Sequence, residues 1–305
     1  MYNRQLLAAL RELRRDVTFE QRTTAGAADQ VWVDSLYLAE LPRLREGLGP
    51  GTRVGLLLHY LPSLLHVPWA GALSEIELRA LQATDVILTP SEYLKQLVET
   101  NCPAKRCACV TPGVEVTQPG GALRDGSALM ICNVTENKGV LPFLRELAAL
   151  SPPSFTLAIA GDLQLEAAYA GACRALCEQH AWLREHVSFL GSVPQRELFT
   201  RLAHASVLVS ASRMESYGMA LAEARALGTP ILALPGGNIA QHVAAESGGQ
   251  LAANPRALAR VLCDLMSDPA ELAVRVTRAR ASAYARPWTA AAQDFLALAI
   301  ETSER

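Results

Sequence analysis

Two glutamates, Glu215 and Glu223, lie on either side of a glycine at a strand-to-helix junction in this sequence of 305 residues. The apolar run SVLVSAS (206–212) predicts a buried strand, and the periodic segment after Gly218 predicts a helix. The first N–H groups of a helix have no partner within it, so this helix start favours an anion such as a diphosphate. The amides concerned belong to Gly218, Met219, Ala220 and Leu221.

The two carboxylates indicate what would accompany the anion. Carboxylate oxygens are poor ligands for phosphate but good acceptors for the hydroxyl groups of a sugar. With Glu215 before the helix and Glu223 in its early turns, each could hold one sugar beside a diphosphate. The spacing alone leaves a second interpretation open, that both are solvated surface residues, as most glutamates are.

Composition limits the other classes of protein. Half of the residues are apolar, 19% are charged and the formal net charge is −2, which excludes a disordered chain. This charge balance and the 6% aromatic content also argue against a nucleic-acid binder. Only three of the 28 basic residues are lysines, so a lysine in a candidate site stands out, and Lys138 is one of the three.

Cysteines and termini bear on the cellular compartment. The seven cysteines are scattered and odd in number, which favours buried thiols over a disulfide framework, and no CxxC pair supports a zinc site. Residues 1–15 show no signal-peptide pattern, and the apolar stretch 54–73 contains two prolines and two histidines. The sequence therefore predicts a soluble, cytoplasmic protein.

The elements around the glutamates follow a β-α-β rhythm, which predicts parallel sheets covered on both faces. In the first half, strands are predicted at 31–38, 54–60, 85–90 and 107–112, and helices at 71–83 and 91–100. After a Pro- and Gly-containing linker at 119–127, strands are predicted at 128–134, 155–162, 187–193, 206–212 and 230–234, and helices at 139–150, 166–180, 195–204, 219–227 and within 253–285. Two doubly wound halves place ligands at the carboxyl ends of their strands.

This organisation resembles the retaining GT-B-fold glycosyltransferases of family four, the glycosyltransferase group 1 type. ESYGMALAE (215–223) matches the E-x7-E signature of that family. Further matching segments are VTENKG (134–139), IAGD (159–162), VSFLGSV (187–193), GTPILALPGGNIAQHV (228–243), ARPWTAAAQDFLALA (285–299), LLLHY (56–60), TPSEYLKQL (89–97) and TPGVE (111–115).

The resemblance implies an α/β GT-B fold, with two Rossmann-like doubly wound domains facing a central cleft. Residues 1–118 would form a shortened acceptor-side domain, and residues 127–286 the nucleotide-sugar-binding domain. Residues 287–305 would form a C-terminal helix that closes back toward the first domain.

The resemblance also implies roles for single residues. Glu215 would contact hydroxyls of the donor sugar, and Glu223 those of the ribose. Lys138 and the amides of residues 218–221 would stabilise negative charge on the departing diphosphate. The family uses no bound metal and no covalent nucleophile, and the sequence contains no Asp-x-Asp motif, so a metal-independent reaction without a cofactor is expected.

Three further positions are weaker candidates. His59 ends a predicted strand in the first half, where the family places a histidine near the reacting sugar. A histidine at a strand end is also an ordinary structural hydrogen-bonding residue, and both interpretations stay open. Gly191 and Ser192 are candidates for contacts with the nucleotide base.

The sequence departs from the family pattern in two places. Asn133 stands where the family has an arginine five residues before the lysine, which removes a charge-assisted phosphate contact, and Arg213 could compensate. The helix predicted from Tyr2 follows Met1 directly, where the family has a strand and a glycine-rich loop. A misassigned start, a naturally minimal chain and lost catalysis would each account for this.

The sequence thus predicts a retaining glycosyltransferase that moves a sugar from a nucleotide-diphosphate sugar to an unidentified acceptor. The alternative is a catalytically impaired GT-B protein that binds a nucleotide sugar or acts as a scaffold for an active transferase. A nucleotide-sugar epimerase on the same fold would not need the E-x7-E pair. The stretch 54–73 leaves room for a lipid-linked acceptor or peripheral membrane contact, but a buried strand with the loop after it is the favoured explanation.

Overall fold

The computed structural model describes most of the chain, namely residues 2–13, 29–65, 72–115, 124–150 and 155–301. The chain divides into an N-terminal unit, Met1–Gly113 with Arg286–Arg305, and a C-terminal unit, Val114–Ala285. The C-terminal segment therefore belongs to the same unit as the N-terminus. The linker predicted at 119–127 lies mostly outside the described residues.

The described residues form ten strands in two sheets, and every pairing between them is parallel. The strands are β1 (Gln30–Asp34), β2 (Arg53–Leu57), β3 (Val86–Thr89), β4 (Arg106–Cys109), β5 (Ser127–Ile131), β6 (Thr156–Ala160), β7 (Val187–Gly191), β8 (Val207–Ser210), β9 (Ile231–Ala233) and β10 (Gln250–Leu251).

Helices connect these strands, as parallel pairing requires. They are α1 (Tyr2–Leu13), α2 (Leu41–Glu46), α3 (Glu75–Gln82), α4 (Glu92–Asn101), α5 (Val140–Ala148), α6 (Ala167–Gln179), α7 (Ala181–His186), α8 (Gln195–His204), α9 (Met219–Ala226), α10 (Pro255–Ser267), α11 (Pro269–Ala281) and α12 (Trp288–Glu301). None of the helices in the described ranges is both long and apolar enough to cross a membrane.

The sheet of the N-terminal unit has the strand order β1-β2-β3-β4, and α12 packs against α1 in this unit. The strand predicted at 31–38 ends early, because the chain turns into a 3-10 helix at Ser35–Glu40. The Asp34 side chain caps this helix by accepting a hydrogen bond from the Leu36 N–H at 2.7 Å. The apolar residues that suggested a longer strand therefore belong to a capped helical turn.

The sheet of the C-terminal unit has the order β10-β9-β8-β5-β6-β7. Its buried core includes Phe143 and Leu144 of α5 and Leu258 and Leu262 of α10, all completely or nearly completely shielded from solvent. This order places β8 beside β5 although the two strands are far apart in sequence. Because all strands run in one direction, the loops after them meet at one edge of the sheet.

Candidate functional site

The helix start predicted to bind an anion lies at this edge of the C-terminal unit. Gly218 precedes α9 with φ of +94°, and no side chain caps the helix. Within the described ranges, the N–H groups of Gly218, Met219 and Ala220 have no hydrogen-bond partner. The expectation of a fourth free amide is wrong, because the Leu221 N–H donates to the Gly218 carbonyl at 3.1 Å. Three amides at a positive helix end therefore remain open to an anion.

Glu215, in the loop between β8 and α9, forms an ion pair with Lys138. The Lys138 Nζ lies 2.6 Å from Oε1 of Glu215, and each side chain is about one-fifth exposed (22% and 21%). The buried Ser212 hydroxyl also donates to Oε1, at 2.8 Å. Both hydrogen bonds use Oε1. Among the described residues, Oε2 has no hydrogen-bond donor, so it can accept one from a ligand. Two predicted site residues 77 positions apart are thus in direct contact.

The turn that carries Lys138 is locked to the loop that carries Glu215. The Asn137 carbonyl accepts a hydrogen bond from the Arg213 N–H at 2.9 Å, and its side-chain Nδ2 donates to the Met214 carbonyl at 3.2 Å. Gly139 follows with φ of +64°, and a Cβ there would lie 2.2 Å from a backbone oxygen of the neighbouring loop. Only glycine therefore permits this close approach.

Glu223 lies inside the protein. Glu223 is only 7% exposed, so the interpretation of a solvated surface glutamate is wrong for this position. Burial raises the pKa of the Glu223 carboxyl to about 7, although a hydrogen bond with the Gln195 side chain acts to lower it. At neutral pH a fraction of this carboxyl is therefore protonated, unlike that of an exposed glutamate.

Asn133, which replaces the arginine of the family pattern, and Arg213, which could compensate for it, lie near the same edge. Each is paired with a residue outside the predicted site. The Asn133 Oδ1 accepts a hydrogen bond from the Asp162 N–H at 3.2 Å. The Arg213 guanidinium lies 3.4 Å from the exposed Glu136 carboxylate. Among the described residues, neither side chain forms a hydrogen bond or ion pair with Lys138 or with the start of α9.

The two candidates for base contacts lie at the end of β7, where Gly191 is the last residue of the strand and Ser192 follows it. Gly191 has φ of +68°, and its carbonyl accepts a hydrogen bond from the Gly161 N–H at 2.9 Å. Ser192 is exposed at the same edge of the sheet. Their predicted contact with a base stays a prediction.

His59 belongs to the N-terminal unit and follows β2 at the carboxyl edge of that sheet. Its Nε2 lies 3.0 Å from Oδ1 of Asn3 and 3.4 Å from Oδ2 of Asp34, and the Tyr2 ring packs edge-on against the imidazole. Burial acts to raise the pKa of Asp34, but hydrogen bonds from His59, the Leu36 N–H and Asn3 outweigh it and hold that pKa below its ordinary value. His59 is thus positioned by a carboxylate, whatever its role.

Sequence reasoning missed three polar residues that support the site. Ser212, Asn137 and Gln195 hold Glu215, the loop before it and Glu223 respectively. Ser212 and Asn137 lie next to residues that the sequence singled out, so proximity to a strand end was the available signal. Nothing local pointed to Gln195, because its contact depends on how α8 packs against α9.

The class of protein follows from this site, the fold and a match to known sequences. Residues 125–268 match the family described as glycosyl transferases group 1. This region belongs to that family, and the chain has the GT-B type of fold, as the sequence predicted.

Two curated relatives are both D-inositol 3-phosphate glycosyltransferases. The protein from Streptomyces avermitilis is 43% identical over 97 residues, which cover 31% of this chain and 21% of the relative. The protein from Corynebacterium urealyticum is 27% identical over 184 residues, which cover 53% of this chain and 43% of the relative. The matched part of the chain therefore spans less than half of each relative.

Solved structures share the fold. Sucrose-phosphate synthase from Thermosynechococcus elongatus superposes with a TM-score of 0.75 at 18% identity, covering 90% of this chain and 74% of that one. HepE from Anabaena, in complex with UDP-glucose, gives a TM-score of 0.73 at 17% identity, covering 90% of this chain and 79% of that one. At these identities the likeness shows the fold alone.

Proposed function

We propose that this protein is a retaining glycosyltransferase that uses a nucleotide-diphosphate sugar as donor. The observation that carries the proposal is the Lys138–Glu215 ion pair, at 2.6 Å, at the same edge of the sheet as the unpaired amides at the start of α9. A cation and free amides suit a diphosphate, and a carboxylate with an open oxygen suits a sugar hydroxyl. The match to glycosyl transferases group 1 covers the whole of this site.

In the proposed reaction, the protein stabilises the charge that develops on the leaving diphosphate. The three free amides at the start of α9 and the Lys138 ammonium are already in place, so they can meet that charge without reorganisation. Oε2 of Glu215 would accept a hydrogen bond from a hydroxyl of the donor sugar, while the Ser212 hydroxyl keeps Oε1 in position. When the diphosphate binds, the Lys138 ammonium would be shared between it and Glu215.

Glu223 would bind the ribose of the nucleotide. Two ribose hydroxyls donating to one carboxylate stabilise its ionised form, so they would offset the burial that raises its pKa to about 7. Gln195 would keep the carboxylate oriented before the nucleotide arrives. Asn133, Arg213, Gly191 and Ser192 remain the proposed outer contacts of the donor.

The proposal that the reaction retains the configuration of the sugar rests on the E-x7-E signature. We also propose that the reaction needs no metal ion and takes place in the cytoplasm. His59 would lie on the acceptor side. The acceptor is a glycan, a lipid-linked molecule or a small molecule, and the names of the curated relatives place an inositol phosphate among the compounds to test.

The first experiment measures binding of UDP, GDP and ADP by thermal shift, because HepE carries UDP-glucose in a structure of the same fold. A nucleotide that binds the folded protein raises its melting temperature by mass action. We expect one of the three to produce a shift that is lost in Glu223→Ala. Glu178→Ala, an exposed glutamate of α6, serves as the matched control and should keep the shift.

Turnover is tested next with the sugar nucleotide of the same base, in the presence and absence of EDTA. Release of the nucleoside diphosphate with an anomerically retained product, unaffected by EDTA, would support the proposal. Binding without turnover of any acceptor would favour the alternative of a nucleotide-sugar-binding scaffold. No binding of any nucleotide or sugar nucleotide would refute the proposed donor site.

A further inference from the structure

The peptide group between Tyr217 and Gly218, just before α9, is held by two buried side chains. The Tyr217 carbonyl accepts a hydrogen bond from Nδ2 of Asn238 at 2.9 Å and another from Nε2 of His242 at 2.7 Å. Asn238 and His242 are each 4% exposed. Both belong to the loop that follows β9, which we call the support loop (residues 235–243).

The tautomer of His242 follows from its contacts. A nitrogen 2.7 Å from a carbonyl oxygen must carry a proton, since two lone pairs at that distance repel each other. Burial lowers the pKa of His242 to about 4, so the ring is neutral at physiological pH, with its proton on Nε2. The imidazole therefore acts as a fixed neutral donor to the Tyr217 carbonyl.

The direction of the carbonyl decides the direction of the neighbouring amide. In a planar trans peptide, the C=O and N–H groups point in opposite directions. The Tyr217 carbonyl is directed at the support loop, so the Gly218 N–H points away from it and has no partner within the described ranges. This N–H is the first of the three free amides at the start of α9.

Resting on the proposed function, we propose that Asn238 and His242 are positioning residues that hold the Tyr217–Gly218 peptide so that the Gly218 N–H faces the diphosphate of the donor. The need for such a device comes from Gly218 itself. Glycine crosses readily between backbone conformations, and a rotated peptide would present the carbonyl oxygen to the anion and repel it. Two donors on one carbonyl make that rotation unfavourable because both would lose their acceptor in a dry environment.

Close backbone contact fixes the support loop against the loop between β8 and α9. A Cβ on Gly236 would lie 2.1 Å from the Arg213 carbonyl oxygen, and one on Gly237 would lie 2.3 Å from that of Glu215. The Glu215 carbonyl also accepts the Asn238 N–H at 2.8 Å. The same loop therefore orients both the carboxylate segment and the amide segment of the site.

The test compares UDP with uridine, which lacks the diphosphate, by calorimetry. Asn238→Ala and His242→Phe each remove a donor, and the double variant removes both. We expect the double variant to bind UDP about 10-fold or more weakly, the scale of one charge-assisted hydrogen bond, with uridine affinity unchanged. His242→Gln keeps a donor, so it should lose less UDP affinity than His242→Phe. Gln241→Ala changes an exposed neighbour and should bind UDP as the wild type does.

A second readout does not depend on the nucleotide. In protein labelled with 15N-glycine, inorganic pyrophosphate should shift the Gly218 amide resonance in the wild type, and much less in the double variant. If the folded double variant keeps the wild-type ratio of UDP to uridine affinity, the inference is overturned. This holds whether both affinities are unchanged or both fall equally. Absence of nucleotide binding in the wild type would refute the proposed function, and the pyrophosphate titration would then decide the inference.

Discussion

Replacing Glu223 by glutamine should change the stability of the protein in a pH-dependent way. The carboxyl is 7% exposed, and burial raises its pKa from 4.5 in the unfolded chain to about 7 in the folded protein. The folded state thus favours the protonated form, so the contribution of Glu223 to stability is most favourable at low pH and falls as the pH rises from about 4.5 to about 7. Glutamine resembles the protonated form and does not titrate.

The expected magnitude follows from the two pKa values. Each unit of pKa difference corresponds to about 1.4 kcal/mol, so the ionised carboxylate costs about 3 kcal/mol once the pH is well above 7. At pH 5 most of this cost is absent. The advantage of Glu223→Gln over wild type in free energy of unfolding should therefore be about 2–3 kcal/mol larger at pH 8 than at pH 5.

The assay is urea unfolding at pH 5, 6, 7 and 8, with Glu178→Gln as the control for losing one exposed charge. UDP adds a second readout, because ribose hydroxyls favour the ionised form: its stabilising effect should grow as the pH rises through about 7 in wild type, relative to Glu223→Gln. A stability difference that stays constant across the pH range would refute the reasoning about burial. A variant less stable than wild type at pH 8 would refute it equally.

Three further predictions concern the frame of the site. Gly139→Ala should destabilise the protein by about 1–3 kcal/mol in urea unfolding, because φ is +64° and the new Cβ would meet a backbone oxygen at 2.2 Å, whereas Gly171→Ala, on an open helix surface, should not. Arg124→Met should lower the free energy of unfolding by about 2–3 kcal/mol, since its guanidinium donates to four backbone carbonyls and a hydroxyl, and exposed Arg174→Met should show no comparable loss. Lys138→Met should weaken UDP binding about 10-fold or more in calorimetry while leaving uridine binding intact, and an equal fall for both would contradict its assignment to the diphosphate.

Local sequence patterns were enough to predict the parallel α/β architecture and the strand-to-helix junction of the candidate site. Strand-forming runs, helical periodicity and the glycine between strand and helix are all properties of neighbouring residues, so β8, Gly218 and α9 could be placed from the sequence alone. The turn that carries Lys138 was singled out by its resemblance to the family segment, because a glycine after a strand does not by itself mark a phosphate contact. What local patterns misjudge is backbone detail, as at 31–38, where a side-chain cap ends β1 and begins a 3-10 helix.

The contacts that make these residues a site depend on the tertiary structure. Lys138 meets Glu215 because β5 and β8 pair in the sheet, and the support loop reaches Tyr217 because β9 pairs with β8. Glu223 is buried by neighbouring elements rather than by its own sequence environment, and its pKa follows from that burial. The sequence by itself determined the residue types, the parallel α/β architecture and the position of the helix start. The order of strands in the sheet decided which loops lie side by side, and hence each ion pair, hydrogen bond and desolvated carboxyl, because such interactions depend on distances of a few ångströms between residues far apart in the chain.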